Sequence, residues 1–233
     1  MRYTSDLTDT EWQLIHYCFP KPCATGRPRE HSYRELLNAI FYLNKTACQW
    51  RNLPEHFAPW GTVYHYFRTW KCNGLWVGIH TRLREEARQV EGRKRHPSAA
   101  IIDSQSVKST ETSDERGYDA GKKVNGRKRH ILVDTIGLLL MVMVLPANIQ
   151  DRDGGKQLLA AFFKRKTRRT VKHIWAEGGY SGTLLDWARR LWSCTIEIVK
   201  RSDRHVFKVL PRRWVVERTF GWMGRYQIGR AHV

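Results

Sequence analysis

The sequence predicts an α/β protein in which a small all-helical unit is followed by a mixed sheet covered by helices. Three observations predict it. Apolar residues recur at helical spacing up to about residue 90, and beyond about residue 98 they change to short continuous or alternating runs. The second region then places three apolar runs in succession before helix and strand alternate. Between the two lies a charged stretch without apolar residues, Glu91-Gly-Arg-Lys-Arg-His-Pro97. The expected division is residues 1–95 and residues 96–233.

In the first unit, Thr8-Asp-Thr-Glu11 is a capping box, in which the Thr8 hydroxyl and the Glu11 carboxylate satisfy each other's backbone donors. Leu7 and Trp12 are placed to staple it. Ser32-Tyr-Arg-Glu35 repeats the signal ahead of Leu36, Leu37, Ile40, Phe41 and Leu43, which share one helix face. A third helix is expected from about Thr62 to Asn73, ended by Gly74, and a fourth from about Leu75 to Val90.

In the second unit, Ala99-Ala-Ile-Ile102 is a short buried strand ending at Asp103. His130–Val133 and Leu138–Leu145 flank Asp134-Thr-Ile-Gly137, a hairpin turn. Lys156–Lys166 suits a helix, Val171–Ala176 a strand, Thr183–Trp192 a helix and Thr195–Val199 a strand, and a last helix begins near Pro211, where proline suits a first turn. The resulting order, βββαβαβα, is that of the ribonuclease-H-like fold.

Lys and Arg number 41 against 22 Asp and Glu, a formal charge of +19 that calls for a polyanionic partner. Ten Trp in a chain of mean hydropathy −0.57 argue for a folded core and against a disordered basic tail. The five cysteines contain no CxxC pair, so neither a disulfide framework nor a zinc site is indicated, and a reducing cytoplasm is the expected compartment. No apolar stretch reaches membrane-spanning length, and no membrane partner is expected.

Asp103 at the end of the first strand, Glu177 after the fourth and Glu217 in the last helix are the candidate catalytic and metal-ligating residues. Three carboxylates suffice to hold two divalent ions, which ionise a water or hydroxyl nucleophile and stabilise the leaving oxygen of a phosphodiester. Hard Mg²⁺ prefers such oxygen ligands. Gly178 and Gly179 would admit substrate closely, and Arg213 falls on the Glu217 face of its helix. Lys108, Lys122, Lys123, Arg127, Lys128 and Arg129 lie between the first two strands, close in sequence to Asp103, and with Arg213 form the candidate DNA-binding set. A second basic run, Lys164-Arg-Lys-Thr-Arg-Arg169, ends a helix, where cations favour the dipole with or without DNA. The Tyr and Trp of the first unit are expected in its core.

Ile101-Ile-Asp-Ser-Gln-Ser-Val-Lys108, Arg116-Gly-Tyr-Asp-Ala-Gly-Lys-Lys123, Gly126-Arg-Lys-Arg-His130, Gln150-Asp-Arg-Asp-Gly154 and Leu210-Pro-Arg-Arg-Trp-Val-Val-Glu-Arg-Thr-Phe220 closely resemble bacterial transposases of the insertion-sequence-five family. Asp6-Leu-Thr-Asp9, Gly26-Arg-Pro-Arg29, Cys48-Gln-Trp-Arg-Asn-Leu-Pro54 and Pro59-Trp-Gly-Thr-Val-Tyr-His-Tyr-Phe67 resemble the helical domain that precedes the catalytic core there. The resemblance runs from residue 6 to about 226. It implies an acidic-triad (DDE) transposase that uses Mg²⁺, or Mn²⁺ in its place, to cleave DNA at the ends of an element and join the freed 3′-hydroxyl to target DNA. It also implies a helix-turn-helix-like first domain that reads the terminal inverted repeats, and a homo-oligomer when two ends are paired. By position Asp103 is the first carboxylate and Glu217 the third. Glu177 stands where the family has Asp, and its extra methylene displaces a carboxylate by more than about 1 Å.

The resemblance stops before Gln227-Ile-Gly-Arg-Ala-His-Val233, and family members continue with further helix, so the catalytic domain is expected to be incomplete at its C-terminus. The codons ATC GGA AGA GCA CAC GTC for Ile228–Val233 resemble a sequencing-library adapter, which makes that tail an expected assembly artefact. Two other readings stay open: a nuclease or resolvase of the same fold, and a catalytically disabled remnant that only binds DNA. A basic protein of the ribosomal kind has no use for three carboxylates in this order.

Overall fold

The computed structural model describes residues 3–21, 28–109, 115–164, 170–199 and 213–224. Gly26, Arg165–Arg169, Pro211 and the tail from residue 225 lie outside the described residues, as does the side chain of Arg213. The chain divides between Ala87 and Arg88 into two units.

The first unit contains α1 (Asp9–Ile15), α2 (Tyr33–Thr46), α3 (Trp60–Cys72) and most of α4 (Leu75–Val90). Both capping boxes form: the Thr8 hydroxyl accepts from the Glu11 amide while Glu11 accepts from the Thr8 amide, and Ser32 and Glu35 repeat the exchange. Leu36, Leu37, Ile40, Val63 and Trp70 make the core, with Trp12, Phe19, Tyr33 and Trp76 packed around it. Its aromatics are mainly core, as expected, although Tyr17, Trp60 and Tyr64 are exposed. No described helix is long and apolar enough to cross a membrane.

The second unit is a six-stranded mixed sheet with helices on both faces. Its strands are β1 (Ala99–Lys108), β2 (Gly117–Asp119), β3 (Val124–Asp134), β4 (Leu139–Pro146), β5 (His173–Ala176) and β6 (Thr195–Ile198). The order β4-β3-β1-β5-β6 is antiparallel on the β4 side of β1 and parallel on the β5 side, and β2 extends the sheet beside the start of β3. Apart from the short extra β2, this is the α/β arrangement that the sequence predicts. The ends of elements differ more. β1 runs five residues past Asp103, because Ser104, Gln105, Ser106, Val107 and Lys108 keep pairing with β3, so Asp103 sits mid-strand. β3 starts at Val124 for the same reason, as polar residues on a well-paired strand carry no apolar signal.

Strand alternation sends the two sides of β1 to different partners. Ala100 and Ile102 pack under α5 (Asp151–Phe163) and α6 (Thr183–Trp192) with Leu132, Leu158, Phe162 and Ile174. Ile101 packs on the other face with Ile131, Val133 and three residues of α7 (Arg213–Gly224), namely Val215, Val216 and Phe220. α5 starts five residues before the predicted Lys156. Its first turn contains Asp151 and Asp153, which favour a helix N-terminus, and Gly154 and Gly155, which precede the predicted start, are buried within it. A Cβ on Gly154 would lie 2.2 Å from the His130 ring, and one on Gly155 2.7 Å from the Tyr180 ring.

The β3–β4 turn is built on Asp134, which has no exposed surface. Its Oδ1 accepts from the amides of Ile136 and Leu138, and its Oδ2 pairs with Arg88. Gly137 takes φ +89°, and the turn's outer carbonyls receive α7: Arg218 donates to Ile136 O at 2.7 Å and the Thr219 hydroxyl to Gly137 O at 2.9 Å. A Cβ at Gly137 would stand 2.9 Å from the Arg218 guanidinium, so glycine is required twice over. Replacing Arg88 by Met leaves a buried carboxylate without its cation, and the expected loss is about 3–5 kcal/mol of unfolding free energy. Urea denaturation measures it, and a loss below about 0.5 kcal/mol would show that Asp134 does not depend on Arg88.

Candidate active site

Asp103 lies in the middle of β1 with 8% of its surface exposed, and its Oδ1 accepts from the Ser104 amide at 2.7 Å. The parallel β1–β5 register pairs Ile101 with Trp175. Two residues further along each chain come Asp103, still within β1, and Glu177, one residue past the end of β5, whose backbone stays extended (φ −75°, ψ 170°) before a single helical turn at Gly178–Tyr180. Both residues therefore share the face of Ile101 and Trp175, the face against which α7 packs. Glu217 is on α7 between the buried Val216 and the buried Thr219 and Phe220, and is itself exposed. Among the described residues no group of three His, Cys, Asp or Glu side chains is assembled to hold a metal ion.

The antiparallel register divides the basic run of β3 between the two faces. Asp103 pairs with Ile131, Gln105 with Arg129 and Val107 with Arg127. Arg129 and Arg127 therefore lie on the Asp103 face, one and two steps along, where Arg129 donates to Gln105 Oε1 and Arg127 Nε to Glu115 O. Lys108, Lys122 and Lys123 are exposed.

Lys128 departs from the expectation of a DNA contact. It points to the opposite face, is 5% exposed, and its Nζ is held by Asp119 Oδ2 at 3.2 Å, Asp151 Oδ1 at 3.1 Å and Ile149 O at 2.9 Å. Alternation along β3 is the physical reason, since residues 127 and 129 cannot share a face with 128.

Residues 94–233 match the family model described as a transposase DDE domain. The chain belongs to that family. Residues 7–80 match a model for transposases of the IS4/5 family. The chain is also similar to the uncharacterized 16.2 kDa protein of insertion element IS402 from Burkholderia cepacia, 27% identical over 128 residues that span 51% of this chain and 78% of that protein. The second unit is thus a DDE domain with a ribonuclease-H-like fold, an enzyme domain of the nuclease and transposase class.

Beneath the Asp103 face of the DDE domain lies a polar network of serines, carboxylates and lysines. The Ser104 hydroxyl donates to Asp151 Oδ1 at 2.7 Å, the Ser106 hydroxyl to Asp119 Oδ2 at 2.6 Å, and the Lys122 amide to Asp119 Oδ1 at 3.1 Å. Burial pushes the Asp119 carboxyl up, but the donors Ser106, Lys122 and Lys128 outweigh it and hold its pKa down at about 2. Burial first, then the fields of Asp103 and Asp151, raise the Tyr180 phenol well above its ordinary range. No local spacing announces this network, because residues 104, 106, 119, 128 and 151 are joined only by the fold.

His130 has no exposed surface, and among the described residues neither of its ring nitrogens has a hydrogen-bond partner. Burial is the largest cause lowering its pKa to about 4. Lys128 and Lys122 add to that, and Asp151 opposes it. The unfolded chain, with an ordinary pKa near 6.5, takes up this proton more readily than the folded one. Stability should therefore be complete above about pH 6.5 and decline towards pH 4 by on the order of 3 kcal/mol. Denaturant midpoints between pH 7 and 4.5 should fall in the parent and fall less in His130→Met; parallel declines would mean that His130 carries no part of the acid sensitivity.

Proposed function

We propose that this transposase binds the terminal inverted repeats of an insertion sequence and catalyses metal-dependent DNA cleavage and strand transfer, with Asp103, Glu177 and Glu217 as its acidic triad. The observation that carries the reading is the placement of two carboxylates: Asp103 and Glu177 each lie two residues beyond Ile101 and Trp175, which pair on adjacent parallel strands, on the face where the helix bearing Glu217 packs. Their donor chemistry, carboxylate oxygen alone, suits Mg²⁺, with Mn²⁺ as a substitute. Bound there, such ions would sharpen a water or 3′-hydroxyl as nucleophile and stabilise the leaving oxygen. Asp103 and Glu177 would hold the cation from the sheet, and Glu217 would complete the set from α7.

Arg127 and Arg129, together with the exposed Lys108, Lys122 and Lys123, would lead the DNA backbone towards Asp103. Arg213 would meet a phosphate or orient Glu217 from the preceding turn of α7. The helical first unit would recognise the repeats, with two copies of the chain pairing the two ends, in a cytoplasmic, nucleoid-associated setting. A second reading has its own support: glutamate in place of the family's aspartate at position 177, and no three-residue metal group among the described residues, fit a remnant that binds DNA without cutting it.

Cleavage and strand transfer on labelled element ends with Mg²⁺ or Mn²⁺ decide between the two. Activity that Asp103→Asn lowers by about 10³-fold or more identifies an enzyme. Binding without cleavage, with Glu177→Asp gaining activity, identifies the remnant. No cleavage in either protein, both natively folded, would remove the triad assignment. In DNA-binding titrations, Arg129→Ala should reduce the slope of log K against log salt by about 0.9, the value for one lost phosphate contact, and Lys128→Met should leave it unchanged. Equal slopes for Arg129→Ala and the parent would sink the proposed DNA path.

A further inference from the structure

We propose that Asp151, at the start of α5, is a positioning residue of the active site, bracing the turn that carries Glu177 against the strand that carries Asp103. The proposal rests on the triad reading above.

The Asp151 carboxylate has two sides and each has its own task. Oδ1 accepts the Ser104 hydroxyl at 2.7 Å and the Lys128 ammonium at 3.1 Å, which ties it to the residue after Asp103 and to the neighbouring strand. Oδ2 faces the other way: a Cβ built on Gly179 would approach it to 3.0 Å, so the backbone two residues after Glu177 runs directly against this oxygen. A side chain at position 179 would push the carboxylate and the turn apart.

The brace is itself held rigidly. Lys128 also binds Asp119 at 3.2 Å and Ile149 O at 2.9 Å, and Lys122 Nζ reaches Ser104 O at 3.3 Å. The Tyr180 ring, 1% exposed, fills the space left by Gly155 and fixes the far end of the Glu177 turn on α5. One ammonium thus serves two carboxylates, and strands β1, β2 and β3 meet α5 at a single buried point. A carboxylate that only favoured the helix dipole would need none of these partners. Metal sites depend on such supporting contacts, whose loss commonly weakens metal binding by about 10–100-fold.

The test is Mn²⁺ binding by the full chain, followed by electron paramagnetic resonance, with circular dichroism as the check on folding. Asp103→Asn should abolish binding. Asp151→Asn and Gly179→Ala should each weaken it about tenfold with unchanged secondary structure, and Asp151→Glu should recover part of the loss. Parent-like Mn²⁺ affinity in Asp151→Asn, with Asp103→Asn inert, overturns the positioning role. A loss in Asp151→Asn as complete as that in Asp103→Asn also overturns it, by making Asp151 a ligand. Parent-like binding in Asp103→Asn removes the triad reading and this proposal together. Should Asp151→Asn not fold, Ser104→Ala, which removes one hydroxyl donor, decides by the same criterion.

Discussion

The carboxylate of Asp134 governs one end of the sheet through contacts of two kinds. Its first oxygen closes the β3–β4 turn on two amides, and its second meets Arg88. With those inward donors satisfied, the carbonyls of Ile136 and Gly137 are left pointing outward, where Arg218 and Thr219 dock α7. Taking such an ion pair out of water is costly, and its net contribution to stability is modest. What it secures is geometry: the turn that receives the helix of Glu217 has one conformation, and the helix has one seat.

From that seat the rest of the site follows by the period-two rule of strands. One face of β1 presents Ile101 and Asp103, and the other Ile102, Ser104 and Ser106. Asp103 and the arginines fall on the first face, and the polar network of Ser104, Ser106, Asp119 and Asp151 falls on the second. The two faces communicate through the strand itself, since Asp103 and Ser104 are adjacent, and through the Gly178–Tyr180 turn, which follows Glu177 on one side and buries Tyr180 on the other.

Much of this was legible in the sequence. The capping boxes at Thr8 and Ser32 marked helix starts to the residue, α4 begins and ends where its apolar spacing does, and the Asp134–Gly137 turn is where polar residues interrupt two apolar runs. Strand ends were hidden wherever polar residues paired: Ser104–Lys108 and Val124–Arg129 look like loop and are ladder. The start of α5 was hidden because glycine normally speaks against a helix, whereas Gly154 and Gly155 are there to admit rings from elsewhere in the fold. Charge misled at one position for a related reason. Lys128 reads as one of three neighbouring cations, yet only alternation, visible once β3 is known to extend that far, separates it from Arg127 and Arg129. Asp119 and Asp151 could not be paired with it from spacing, since nothing local joins residues 119, 128 and 151.

The docking of α7 also has a consequence for the order in which the chain acquires its structure. Its anchoring bonds to the hairpin span 82 positions of sequence, and the apolar surface it covers, made of Ile101, Ile131 and Val133, does not exist until β1 and β3 have paired. Closing so long a loop carries an entropic cost that only an already formed sheet can offset. Glu217 is therefore the last acidic residue to arrive. A nascent chain still emerging from the ribosome can pair β1 with β3 well before α7 is made, so an unfinished chain carries Asp103 on its sheet without the helix that packs on that face.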